Sequence, residues 1–147
     1  MKKFILPMLA AFMLLTGCSE KASVITSYYT VNKNQWEPAT TLNADNTYTI
    51  NYYYSTWENI DITPDVIDNG VVLAYYLEND GGVTRDNLLP YTLYFLDDNG
   101  VPYQERIEYD IEPGKITFKI KDTDFNTAIS MANIETMNFK VSVIRNH

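Results

Sequence analysis

The chain has 147 residues, 46% of them hydrophobic, and its 19 acidic side chains outnumber 11 basic ones for a formal charge of −8. A length of this order serves one domain with a core of its own, and the acidic balance, with no cluster of Lys and Arg, excludes nucleic acid because phosphate must be neutralised by basic side chains. The single histidine is His147, the last residue, and the single cysteine is Cys18. Ser-His and Cys-His catalysis and the usual zinc sets, which need a positioned base or ligand, are therefore not expected.

The first element is a leader. Lys2 and Lys3 precede the apolar run 4–15, which only Pro7 interrupts. Twelve residues fall short of the ~20 that a spanning helix needs, and a charged start, a short apolar stretch and small residues at a cut site read as an export signal. Leu15-Thr16-Gly17-Cys18 closes it and resembles the lipobox of bacterial lipoproteins, in which the cysteine takes a thioether-linked diacylglycerol and becomes the new N-terminus. The alternative, an ordinary signal with a chance cysteine, leaves an exported protein with one unpaired thiol at the cut site. The resulting division is 1–17 signal, 18–23 tether and 24–147 domain. Two or more acyl chains hold a protein stably on a bilayer, and Ser19 in place of an aspartate after the cysteine favours the outer membrane, with its face left open. Without Lys2 and Lys3, nine basic residues stand against 19 acidic ones, a formal charge of −10.

Beyond the tether, strands are expected at 24–31 and 47–54, rich in β-branched and aromatic residues. Thr63-Pro64 reads as cap and first residue of a short helix over 64–69, with Gly70 as a left-handed stop. A strand follows at 71–77, then a polar, glycine-containing loop over 78–88. Tyr91–Leu96 and Tyr103–Ile111 flank Asn99-Gly100, a strong hairpin signal, and Glu112-Pro113-Gly114 turns the chain into Lys115–Lys121. These three strands make a meander. In the second, Tyr103, Ile107, Tyr109 and Ile111 share one face and Arg106, Glu108 and Asp110 the other. The stretch 124–136 reads as a short helix or irregular crossover, and Phe139, Val141 and Val143 alternate in a last strand. The whole predicts an all-β antiparallel sandwich with one or two short helical turns; immunoglobulin-like connectivity is one topology such a strand count allows.

The order of landmarks, Trp36, Ile62-Thr63, Gly70-Val71-Val72-Leu73-Ala74-Tyr75, Leu89-Pro90-Tyr91 and the closing 139–144 strand, resembles a group of small uncharacterised lipoproteins of Bacteroidetes-type bacteria. The resemblance implies a β-rich domain on an outer envelope and carries over no activity and no catalytic residue.

Candidate chemistry is sparse. Glu105, Glu108 and Asp110 on a strand, and Glu78, Asp80 and Asp86 in the polar loop, read as solvated charge rather than as a paired acid and base. Asp122-Thr123-Asp124-Phe125-Asn126 opens like a calcium loop, but Thr127 stands at its required glycine and Asn133 at its bidentate glutamate, so no metal is assigned. The surplus lies in the aromatics, 12 Tyr and two Trp. Strand alternation puts Tyr48, Ile50, Tyr52 and Tyr54 on one face and Tyr53 on the other, and turns Tyr28 from Tyr29 and Tyr75 from Tyr76. Some rings should therefore reach solvent, where they stack on sugars or anchor a protein. Trp36, Tyr53 and Trp57 are the candidate ligand-binding residues. Two functions remain in view: a non-catalytic, lipid-anchored envelope binding module whose partner is an envelope protein or extracellular ligand, or a carbohydrate-binding accessory protein. Neither calls for a cofactor.

Overall fold

The computed structural model describes residues 22–96, 100–122 and 134–145. Within them nine strands form two antiparallel sheets packed face to face: β1 (Ser23–Val31), β2 (Glu37–Leu42), β3 (Tyr48–Glu58), β4 (Val71–Asp80), β5 (Val83–Leu88), β6 (Tyr91–Leu96), β7 (Pro102–Glu112), β8 (Lys115–Asp122) and β9 (Met137–Arg145). The smaller sheet runs β1-β9-β4-β5 and the larger β2-β3-β8-β7-β6. An all-β sandwich is thus the architecture. Its order is not that of the immunoglobulin fold, whose first strand pairs with its second; here β1 lies beside the last strand, with Ser23 opposite Arg145 and Val31 opposite Met137.

Period-two alternation builds the core. Ile116, Phe118 and Ile120 on β8 and Phe139, Val141 and Val143 on β9 are buried, and face one another with Val72 and Ala74 of β4 and Ile107 of β7. The expected meander is present as β6-β7-β8, with Glu112 opposite Lys115 across the Pro113-Gly114 turn and Gly114 at a φ of 78°. Asn99 of the Asn99-Gly100 turn signal, and the 124–136 stretch up to residue 133, lie outside the described residues. Helix α1 (Pro64–Asn69) forms as its cap predicts: the Thr63 side chain accepts a hydrogen bond from the Val66 amide at 3.2 Å.

Three expectations are corrected. The loop over 78–88 is a hairpin, because Gly81 and Gly82 both take positive φ, 59° and 88°, the two-residue turn whose twist matches its flanking strands; Asp80 pairs with Val83 and Glu78 with Arg85. On β3 the pairing with β2 steps from Ala39–Tyr52 to Thr40–Ile50 and leaves Asn51 unpaired. This bulge reverses the alternation, so Ile50 packs on the core together with Tyr53 rather than sharing a face with Tyr52.

Gly70 is the third. It is extended, with φ −105° and ψ −163°, so left-handed geometry is not what it supplies. A Cβ there would stand 2.6 Å from the Ile144 carbonyl oxygen and 2.9 Å from that of Val66. The glycine lets α1 close against β9. Gly70→Ala is expected to destabilise the fold by about 2 kcal/mol or more, through backbone displacement, in urea unfolding; a loss under ~0.5 kcal/mol would show that the close approach yields freely.

Candidate functional site

The aromatics nominated from sequence lie mostly inside. Trp36 is 3% exposed and Tyr53 2%, so neither ring presents a face to a ligand. Tyr53 stands opposite Ile120 and Trp57 opposite Ile116, on the inward side of β3. Trp57 is half-buried, edge-on to Tyr29 at 5.7 Å, and its Nε1–H donates to the Ser55 hydroxyl at 3.0 Å. Trp36 packs edge-on to Phe139 at 6.4 Å. The bulge at Asn51 explains Tyr53: once parity is reset, the odd residues 53, 55 and 57 face the core. Cys18 lies outside the described residues.

The two solvent faces of the sandwich differ in chemistry. On the larger sheet, Lys119 pairs with Asp110 and Lys121 with Glu108, while Arg106 stands 3.6 Å from Glu108. The Thr56 and Thr117 hydroxyls meet at 2.9 Å, and Tyr52 lies under the Lys119 and Lys121 ammoniums. Charge is locally balanced at β7–β8 and Tyr52 is covered there, while Tyr94 and Leu96 on the edge strand β6 and Tyr48 on β3 are exposed. The smaller sheet is different. Its outer rows, taken across β1, β9 and β4, are Val24–Ile144–Val71, Thr26–Ser142–Leu73, Tyr28–Lys140–Tyr75 and Thr30–Asn138–Leu77. Val24, Tyr28, Val71 and, on β5, Leu88 are exposed. The one cation among them, Lys140, sits 4.4 Å over the Tyr75 ring and pairs with Asp86, whose hydrogen bond raises the lysine above its ordinary range.

At the end of this face a groove of about 190 Å³ opens between Tyr28 and Thr30 on β1, Asn138 on β9, and Leu77, Asn79 and Thr84 on the β4–β5 hairpin. Tyr29 and Phe139 complete its lining. The Thr30 hydroxyl donates to the Asn138 side-chain oxygen at 2.8 Å, and the Asn79 side-chain oxygen accepts from the Gly82 amide at 3.2 Å. Both asparagines thereby keep their Nδ2 donors without a partner among the described residues. No lining side chain is charged at neutral pH. In the sequence this site shows only as Tyr28 and the polar 78–88 stretch; Asn138 and the β4–β5 residues could be placed beside Tyr28 only once β1 was known to pair with β9 and 78–88 to be a hairpin.

Glu105 is the carboxylate that alternation should have placed and did not. It shares the inward face of β7 with Tyr103 and Ile107 and is 3% exposed, opposite Leu93 and Asp122. Burial, and secondarily the charge of Asp122, push its pKa up to about 7. The reading of Glu105 as solvated charge is therefore wrong. It lines no part of the groove, and among the described residues no cluster of His, Cys, Asp and Glu could hold a metal ion. No family model, no curated protein and no solved structure matches this chain.

Glu105 has a pH consequence. Its folded pKa of about 7 lies above the ordinary 4.5, so the folded state binds the extra proton in between, and stability falls as pH rises from about 4.5 through 7. The Glu105→Gln variant is expected to match the wild type near pH 4 and to exceed it by roughly 1–3 kcal/mol at pH 8 in denaturant unfolding. A pH-independent difference between the two proteins would refute the buried acid.

Proposed function

We propose that this protein is a non-catalytic binding module, held at the outer membrane by lipid on Cys18, that offers the outer face of its smaller sheet to an envelope partner or extracellular ligand. The carrying observation is the contrast between the two faces. Ion pairs cover the centre of the larger sheet, where the exposed Tyr94 and Leu96 lie on the edge strand β6, whereas the smaller sheet exposes Val24, Tyr28, Val71 and Leu88 across three strands around one neutralised lysine. Apolar surface left open among polar residues marks an interaction site. The groove lacks the paired carboxylates that acid–base hydrolysis needs, and Glu105 is too deeply buried to meet a substrate, which favours binding over catalysis.

The resemblance to small envelope lipoproteins supports the same reading. Four residues separate Cys18 from the start of β1 at Ser23, and the five steps reach at most ~18 Å. The Val24 row is then the membrane-near end of the face. The groove lies four to six residues further along β1, roughly 13–20 Å away.

The anchor and the face can be tested separately. Cys18→Ala is expected to abolish incorporation of radiolabelled lipid and to release the protein from the membrane fraction; unchanged partitioning would exclude the lipid anchor. For the face, a photo-reactive residue replacing Leu88 is expected to give cross-linked adducts in intact cells, and one replacing Thr117 on the larger sheet to give none. Equal yields, or none at Leu88, would remove the smaller sheet as the binding face.

A further inference from the structure

Resting on that reading, we propose that the groove between Tyr28, Asn138 and the β4–β5 hairpin is a subsite for one ring of a neutral saccharide. Its polar groups define the ligand. Asn138, Asn79, Thr30 and Thr84 all line the one groove, and the side-chain oxygens of both asparagines are already engaged, which leaves their Nδ2 donors for a ligand. A hydrocarbon ligand would strand them, and a site built from hydrogen-bonding groups discriminates strongly against an occupant that cannot answer them. A charged ligand finds no opposite charge in the lining, and the nearest cation, Lys140, is already held by Asp86.

An extended peptide is disfavoured for a different reason. Peptides of that kind join a sheet at its edge through backbone hydrogen bonds. This groove lies on a sheet face, where the backbone groups of β9 and β4 are already committed to their ladders. Hydroxyl-rich, uncharged rings meet the remaining requirements. Tyr28, 70% exposed, supplies a flat apolar face for the C–H side of a sugar, and the amides and hydroxyls address its edge. The volume, small beside the several hundred Å³ of a drug-sized pocket, suits a single ring. Longer chains would run on over the Tyr28–Lys140–Tyr75 row, whose two tyrosines stand two strands apart, ~10 Å.

The test uses the full chain in a zwitterionic detergent that carries no sugar headgroup. Neutral hexasaccharides of glucose, mannose, xylose and galactose, with chondroitin sulfate as the charged comparison, are titrated by calorimetry and by saturation-transfer NMR. At least one neutral hexasaccharide is expected to bind, with little dependence on salt. Tyr28→Ala and Asn138→Leu should each weaken it about tenfold or more, while Tyr94→Ala, at an exposed ring on the other sheet, leaves it unchanged. Binding by none of the neutral sugars, by chondroitin sulfate alone, or unaffected by the Tyr28 and Asn138 substitutions would overturn the subsite. The Leu88 and Thr117 cross-linking contrast separates the two failures: retained, it leaves the binding module standing without the sugar; absent as well, it removes both.

Discussion

Phe118 of β8 and Phe139 of β9 stack across the interior with centroids 4.0 Å apart and planes 12° apart, and both are fully buried. The rings around this pair hold it in place. Tyr29 meets Phe118 edge-on at 5.8 Å, and Trp36 and Tyr76 reach Phe139 at 6.4 and 6.2 Å. These contacts put ring rims against ring faces and confine the pair. Fixing Phe118 inward forces Lys119 and Lys121 outward on β8; fixing Phe139 inward forces Asn138 and Lys140 outward on β9. The composition of both solvent faces follows from that one stack.

The faces then diverge through what each strand carries at its outward positions. On β7 and β8 these are Arg106, Glu108 and Asp110 against Lys119 and Lys121, which pair across the register. Exposed pairs of this kind add little stability. Their effect is to hold the charge of a strongly acidic protein in balanced ladders and to keep a broad sheet face hydrated. On β1, β9 and β4 the outward positions hold Val, Ile, Thr, Ser, Tyr, Leu and Asn, with Lys140 as their one charge, and no comparable ladder forms. Such a surface, left open, costs solubility unless something binds it or its extent stays small.

Much of the sandwich was legible from alternation alone. The run 115–121 and the residues 139, 141 and 143 carry a period of two with apolar residues on one side, and both became central strands. What failed, failed for identifiable reasons. β5 has only Val83 and Leu88 as apolar members and sits at the sheet's edge, where burial does not impose a pattern; the Gly-Gly turn before it read as part of a polar loop rather than as a positive-φ hairpin. The Asn51 bulge is invisible to any fixed period, and it alone reversed the faces assigned to Ile50 and Tyr52. Gly70 was rightly singled out but for the wrong physics, since the constraint is a carbonyl from β9, more than 70 residues away in sequence. Glu105 obeyed its strand's parity, and only the expectation that carboxylates face water hid it.

The aromatic surplus can now be divided. Most of it closes the sandwich, with ring bodies in the apolar layer and polar ends bonded at its rim. The Tyr109 hydroxyl donates to the Val72 carbonyl at 2.8 Å, joining β7 of one sheet to β4 of the other, and Tyr29 packs edge-on to Trp57 and Phe118. Such rings are explained by packing and need no ligand. Tyr28 is not of this kind: among the described residues it stacks on no other ring, and it stands on an edge strand beside Thr30 and Asn138, whose hydrogen bond leaves the Asn138 amide donor open. A tyrosine spent on the surface next to unanswered polar groups adds nothing to the core that an alanine-sized residue would lose. The proposed binding would therefore rest on Tyr28 and the groove, since Trp36 and Tyr53 are already committed to the core.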